Sequence, residues 1–278
     1  MLTDDFDHLR VTTESDGRVI LLEFDHGKAN EMGVAVLTEL ERLRDRLTTD
    51  GRAVALITFS RRASSKGTPI FVAGANVTER AGWTADDVMQ HVRWQRQVLA
   101  SLRSAPVFHI GVVSGVALGW GTEYLLVCDY RIACKGAQFG LPETGLGIIP
   151  GAGGTSDLRA HIGVANTLRL GMTGERIDGD EAMRIGLVQE TAGSLDEGLT
   201  RARHLAGLAA KRSPTAIAAF KDGVLRSVGV PGELRTEIEA VRYEHCVLTG
   251  EAAIGREHFS TLVKGGTAPW GPRRLLER

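Results

Sequence analysis

The stretch VALGWGTEYLLVCDYRIA, residues 116–133, is followed almost at once by FGLPETGLGIIPGAGGT, residues 139–155. Together they set two glutamates, Glu123 and Glu143, inside glycine-rich and largely apolar sequence. A carboxylate buried without a partner is costly, and carboxyls held in such surroundings have the shifted pKa values that proton transfer uses. The pattern is that of an acid/base site. Gly119 and Gly121 bracket Trp120 just before the helix-prone run 124–127, so the chain is expected to leave the strand at 110–113, turn, and start a helix here. The first turn of a helix leaves backbone N–H groups without internal partners. Aimed at a carbonyl oxygen, such donors stabilise the negative charge it gains in a transition state. A second glycine turn, FVAGAN at 71–76, offers another donor of the same kind.

Outward from this stretch, β-prone runs at 19–24, 53–59, 108–113 and 130–133 alternate with helical periodicity at 34–47 and 88–102. That alternation predicts a layered α/β architecture. Beyond about Leu195 the strands stop, and 196–211, 214–227, 233–247 and 251–263 read as successive helices. The passage from α/β core to an all-helical region is placed at 194–209. No sequence repeat accompanies it.

At 278 residues the chain is long enough for one large core, or a core and a smaller domain. Hydrophobic residues at 43% and charged residues at 24% are those of an ordinary globular protein. With 33 basic against 34 acidic residues there is no bulk field to draw in nucleic acid or a membrane surface. Any anionic ligand must be held by local groups. Cys128, Cys134 and Cys246 are odd in number and lack metal-ligand spacing, so they read as reduced thiols in a cytoplasmic protein. MLTDDFDHLR, at the N-terminus, is acidic and has no apolar core, unlike a secretory or transit signal, and no apolar run approaches membrane-spanning length. His109, in the apolar run FHIGVV, reads as a hydrogen-bonded core residue rather than a base. PGAGGT lacks the Gly-Lys-Ser/Thr ending of a phosphate loop, and no zinc-protease spacing or G-x-S-x-G elbow is present, so neither a metal nor a nucleoside triphosphate is implied.

Five fragments, VALGWGTE with YLLVCDYRIA, FGLPETGLGIIPGAGGT, TGERIDGDEAMRIGLV and the earlier FVAGANVTE, resemble in order and spacing the signatures of the enoyl-CoA hydratase/isomerase family, the crotonases. The resemblance runs from about Ile20 to the C-terminus. It implies an α/β fold built as a crotonase-like spiral of ββα units, with an all-helical C-terminal region that assembles homotrimers, often paired as dimers of trimers. Residues 1–200 would hold the spiral core with the CoA and catalytic site, and 201–278 the oligomerisation region. The implied partner is an acyl-CoA substrate, with no nucleic acid and no membrane. Coenzyme A is then part of the substrate, and no separate cofactor or metal is expected.

The implied activity is that of an enoyl-CoA hydratase, a lyase of fatty acid metabolism that adds water across the α,β double bond of a 2-enoyl-CoA thioester. Glu123 and Glu143 take the places of the family's two catalytic glutamates, each of which in isolation could equally be an ordinary helix-opening or turn residue. Members that only shift a double bond or cleave other bonds frequently lack one of the pair. This chain has both. Isomerisation, decarboxylation, carbon–carbon cleavage and a non-catalytic acyl-CoA-binding role remain the alternatives.

The resemblance also assigns the backbone N–H groups of Ala75 and Trp120 to an oxyanion hole. It offers Lys28, Ala29, Asn30 and Ala73, with Lys221 and Lys264 from the C-terminal helices, as CoA-binding positions. Several residues depart from the family pattern. Trp120 stands where glycine is common, and its ring either flanks the acyl group or packs away from it. The segment 60–76 is longer than usual, and its Arg61, Arg62 and Lys66 either meet CoA phosphates or form a solvated loop face. Asn76 replaces a usual aspartate, and Thr78 a frequent lysine.

Overall fold

The computed structural model describes residues 6–274. Strand β1 (Leu9–Glu14) turns back antiparallel onto β2 (Val19–Phe24), and α1 (Val34–Thr49) follows. The chain then makes three passes of one pattern. They are β3 (Ala55–Phe59), β4 (Ile70–Val72) and α2 (Ala85–Arg103); β5 (Phe108–Val113), β6 (Val116–Leu118) and α3 (Trp120–Leu125); and β7 (Tyr130–Cys134), β8 (Gln138–Gly140) and α4 (Leu158–Thr173). The first strand of each pass joins a sheet ordered β1-β2-β3-β5-β7-β10, and the second joins a sheet ordered β4-β6-β8-β9. Short segments β9 (Ile177–Asp178), α5 (Gly179–Arg184) and β10 (Glu190–Ala192) complete the sheets. Each ββα unit thus lays one strand on each sheet before its helix, which is the expected spiral.

The burial of the strands explains the layering. All five residues of β3 are buried, as expected of a parallel strand covered on both faces. Leu56 turns to one side, into the core with Leu37, Leu40 and Leu43 of α1 and Leu99 and Leu102 of α2. Ala55, Ile57 and Phe59 turn to the other, against Leu199, Ala202 and Ala206 of α6 (Leu195–Ala210). Because α6 covers this second face, the division expected between residues 200 and 201 falls inside a helix of the core layer.

Beyond α6 come α7 (Pro214–Ser227), α8 (Gly232–Leu248), α9 (Glu251–Glu257) and α10 (Phe259–Leu262), with no strand among the described residues. The single helix expected over 251–263 is broken at His258, which ends α9. Ser213 caps α7 and also bonds the buried Glu251, tying the start of α7 to α9. No helix of the described residues is long and apolar enough to cross a membrane.

Candidate active site

Glu123 is the fourth residue of α3, and the helix starts where it does because of Gly119. Gly119 has φ +52°, a conformation open to glycine, and a side chain there would stand 2.6 Å from Glu143 Oε1. Its N–H donates to Gly140 O at 2.8 Å, and Thr122 Oγ1 donates to Ala117 O at 2.7 Å, so the turn is clamped between β6 and β8. Glu143 opens a 3-10 turn, Glu143–Leu146, shortly after β8. The close approach of Glu143 to Gly119 thus brings the second carboxyl to the start of the helix that carries the first.

Glu123 is 3% exposed. Its Oε1 accepts from the N–H groups of Ala152 (2.7 Å) and Gly154 (2.9 Å). Burial pushes its pKa up to about 7; the two amides oppose that rise, and the nearby Glu143 adds to it. Glu143 is also raised, by burial, and its Oε2 is buried without a hydrogen-bond partner. Both carboxyls line one cavity of about 1040 Å³, together with Ala73, Gly74, Ala75 and Trp120. Burial thus raises both carboxyls, and Glu123, at about 7, can take or give a proton near neutral pH.

Ala75 and Trp120, whose amides the resemblance assigns to the oxyanion hole, line the same cavity. Trp120 is the first residue of α3, so its N–H has no acceptor within the helix. Around Ala75 the backbone bonds run from Met32 N–H to Gly74 O, from Asn76 N–H to Met32 O and from Val77 N–H to Ala75 O. The Ala75 N–H takes part in none of them. For the Trp120 ring the structure shows the packing contact. It is 2% exposed and packs on Tyr124 with ring centroids 5.5 Å apart, yet the residue forms part of the cavity wall.

The positions offered for CoA divide. Ala73 lines the cavity and its N–H donates to Ala29 O at 3.1 Å, so the loop carrying Lys28 and Ala29 borders this side of the site, with the Lys28 side chain exposed. Asn30 is fully buried; its Nδ2 donates to Ser60 Oγ (2.9 Å) and Phe71 O (2.8 Å), and its Oδ1 accepts from His26 N–H (2.8 Å). Its carboxamide knits three loops together, leaving only its backbone for a ligand. For Lys221 the expectation of a phosphate contact is corrected: its Nζ donates to Asp129 Oδ2 at 2.7 Å and Val107 O at 2.9 Å, a commitment of the ammonium to the core. Lys264 is exposed just beyond α10.

In the long segment, Arg61 pairs with Asp196 and Arg62 with Asp25, while Lys66 is exposed. Asn76 Oδ1 accepts from Thr78 Oγ1 at 2.6 Å and shapes the turn after Ala75. His109 is buried with Nε2 2.8 Å from Thr58 Oγ1, and burial holds its pKa down to about 3, so it is a neutral core residue. No cluster of three or more metal-ligating side chains occurs among the described residues. Two features escaped the sequence reading. The amides of Ala152 and Gly154 lie in PGAGGT, which the sequence reading set aside as lacking a phosphate-loop ending and did not connect with Glu123. Gln95 and Arg96, also on the wall, carried no signal beyond a helical spacing.

Comparison with known proteins bears on the family and the fold. The sequence model of the family described as enoyl-CoA hydratase/isomerase matches residues 14–260. The short-chain-enoyl-CoA hydratase of Clostridium acetobutylicum is 30% identical over 240 residues, 86% of this chain and 90% of that one. The human mitochondrial enoyl-CoA hydratase domain-containing protein 2 is 34% identical over 233 residues, 83% of this chain and 78% of that one. The crystal structure of enoyl-CoA hydratase from Bacillus anthracis superposes with a TM-score of 0.86 at 29% identity, covering 95% of this chain and 99% of that one. A family match over residues 14–260, with relatives 30–34% identical over more than four-fifths of this chain, places it in the enoyl-CoA hydratase/isomerase family.

Proposed function

We propose that this protein is an enoyl-CoA hydratase, which adds water across the α,β double bond of a 2-enoyl-CoA thioester to give the 3-hydroxyacyl-CoA. The observation that carries the reading is the meeting of Glu123 and Glu143 in one cavity lined also by Ala75 and Trp120, whose backbone amides are the donors this reading assigns to the thioester oxygen. The thioester oxygen sits between the two N–H donors. A water held by both carboxyls attacks C3 and loses a proton to Glu123, while Glu143 delivers a proton to C2. Charge passes through the thioester enolate, where each well-placed amide is worth about 3–4 kcal/mol. Water supplies both the hydroxyl and the net proton, so the reaction calls for no redox group or metal, and coenzyme A arrives with the substrate.

The setting follows from weaker observations. Cys128, Cys134 and Cys246 are free thiols, which fits a reducing compartment such as the cytoplasm. Exposed apolar residues on α7 and α8 fit a homotrimer or a dimer of trimers. The direct test is the loss of enoyl-thioester absorbance with crotonyl-CoA and longer 2-enoyl-CoA substrates, with the product identified by mass. A product heavier by one water supports hydration. A product of unchanged mass would mean isomerisation, and loss of carbon would mean decarboxylation or cleavage.

A further inference from the structure

Arg96 reaches Glu123 through a single peptide group. It lies on α2, lines the cavity that holds both glutamates, and forms no salt bridge among the described residues. Its Nε donates to Gly151 O at 2.9 Å. The N–H of that same peptide belongs to Ala152 and donates to Glu123 Oε1 at 2.7 Å. In a planar trans peptide the C=O and the N–H point in opposite directions, so a donor fixed on the oxygen fixes the direction of the N–H. It also polarises the group, which strengthens the bond that the N–H makes.

The loop is seated on α2 at this point. A side chain added at Gly151 would stand 2.7 Å from Val92 Cγ1, one turn before Arg96 on the same helix. Pro150 O, one peptide earlier, accepts from Thr155 Oγ1 at 2.9 Å, a bond made within the loop, whereas Gly151 O is held from outside it by Arg96. The Arg96 side chain is exposed, which separates this contact from core packing.

Charge acts in the same direction. Burial raises the Glu123 pKa most, the Gly154 and Ala152 amides oppose that rise, Glu143 adds to it, and the Arg96 guanidinium opposes it. Arg80 and Arg93 are the other bases on the cavity wall and Glu143 its other acid, while Asp157, beyond the loop, is paired with Arg103.

We propose that Arg96 is a positioning residue of this site: by holding Gly151 O it aims the Ala152 N–H at Glu123 and supports the carboxylate form that takes a proton. The inference rests on reading Glu123 as the proton-transferring group, but not on which reaction it serves.

The test compares Arg96→Met, Arg96→Lys and Arg93→Met in the full chain, by crotonyl-CoA kinetics across pH and by urea denaturation at pH 5 and pH 9. Without the guanidinium the Glu123 anion loses support, so its pKa should rise above about 7. Arg96→Met is therefore expected to lower kcat about tenfold with KM little changed, and to carry the rising limb of kcat/KM to higher pH. Arg96→Lys keeps a donor and a charge and should recover part of both. Arg93→Met removes an equal charge from the same helix but no hydrogen bond to the loop, and should move the limb less.

Denaturation gives a readout that needs no turnover. A raised carboxyl contributes stability that is full below the usual value of 4.5 and is lost as pH rises through the folded value, so a still higher folded value makes the loss larger. The midpoint of Arg96→Met should therefore fall further below wild type at pH 9 than at pH 5, and the extra fall should vanish in a Glu123→Gln background. An unmoved limb, or a midpoint difference equal at both pH values, overturns the proposal, as does an equal limb shift in Arg93→Met. If crotonyl-CoA is not hydrated but the pH-dependent coupling to Glu123 is found, the positioning role stands and hydration falls; hydration without the coupling does the reverse.

Discussion

Glu123 is held by opposing influences, and its chemistry follows from their balance. Burial favours the neutral acid, the Ala152 and Gly154 amides favour the anion, and the result is a pKa raised to about 7. A raised carboxyl is protonated below that value and charged above it. If Glu123 takes the proton from water, kcat/KM should therefore climb as pH rises through about 7, and the limb should vanish in Glu123→Gln. A limb falling through the same range would exchange the roles of the two glutamates. Glu123→Gln and Glu143→Gln should each lower kcat by roughly 10²–10⁴-fold with CoA binding retained; near-native turnover in either would remove that residue from the mechanism. The same shift acts on stability. Between the usual value of 4.5 and about 7 the folded chain holds a proton at Glu123 that the unfolded chain has lost, so this group's contribution to stability falls as pH rises across that window. Chemical denaturation of wild type and Glu123→Gln at pH 5 and pH 8 should show the variant losing less. Both glutamates were legible in the sequence because each lies within a long, ordered motif. The donors that tune Glu123 were not, since a backbone N–H carries no residue type. PGAGGT lacks a phosphate-loop ending, and its role appears only when the fold brings the chain's own carboxylate to it.

The seat of α3 depends on how closely its first turn approaches β4. A side chain at Gly121 would meet Val72 O at 2.3 Å, and that atom is backbone, unable to swing aside. Gly121→Ala should therefore displace the helix that carries both Glu123 and the Trp120 amide. The expected cost is about 1–3 kcal/mol of stability, together with a fall in kcat larger than the change in KM. Unchanged melting temperature and unchanged kcat would show that α3 has room the packing denies. Trp120→Gly probes the same element differently: the amide survives, but the ring packed on Tyr124 is lost, at about 3–5 kcal/mol. In a folded variant the specificity constants for branched or aromatic enoyl thioesters should gain on that for crotonyl-CoA. An unchanged ratio would leave Trp120 a packing residue and move the search for selectivity to residues 61–69. The longer strands β2, β3, β5 and β7 were legible as β-prone runs, although β1 and the helix α4 were not read from the sequence. The partner strands β4, β6, β8 and β9 are two or three residues long, too short for alternation to register. The spiral consists of those short strands, and only resemblance supplied it in advance.

Across the whole molecule, the exposed apolar surface gathers on the C-terminal helices. Phe220, Val224 and Val228 of the α7 side face Tyr243 of α8 across a groove of about 660 Å³, and Leu248, Phe259 and Val263 are exposed beyond it. Such a surface on a free chain invites association. Sedimentation at micromolar concentration should find an oligomer, and a stable monomer would sink that expectation. Removing everything after Arg212 is not the trimming of an assembly arm from a finished core, because of the Asp129–Lys221 contact. Asp129 sits where α3 gives way to β7, accepts from His109 N–H at the start of β5, and takes its counter-charge from a lysine on α7. A shortened chain would keep the partly buried carboxylate and lose its salt-bridge partner Lys221, leaving Arg131 as the nearby positive charge, a loss that weakens the core. The arm is thus a keystone rather than an appendage: residues 1–212 should fold poorly even where association is irrelevant, and Lys221→Met in the full chain should reproduce part of that weakness without disturbing the α7–α8 groove.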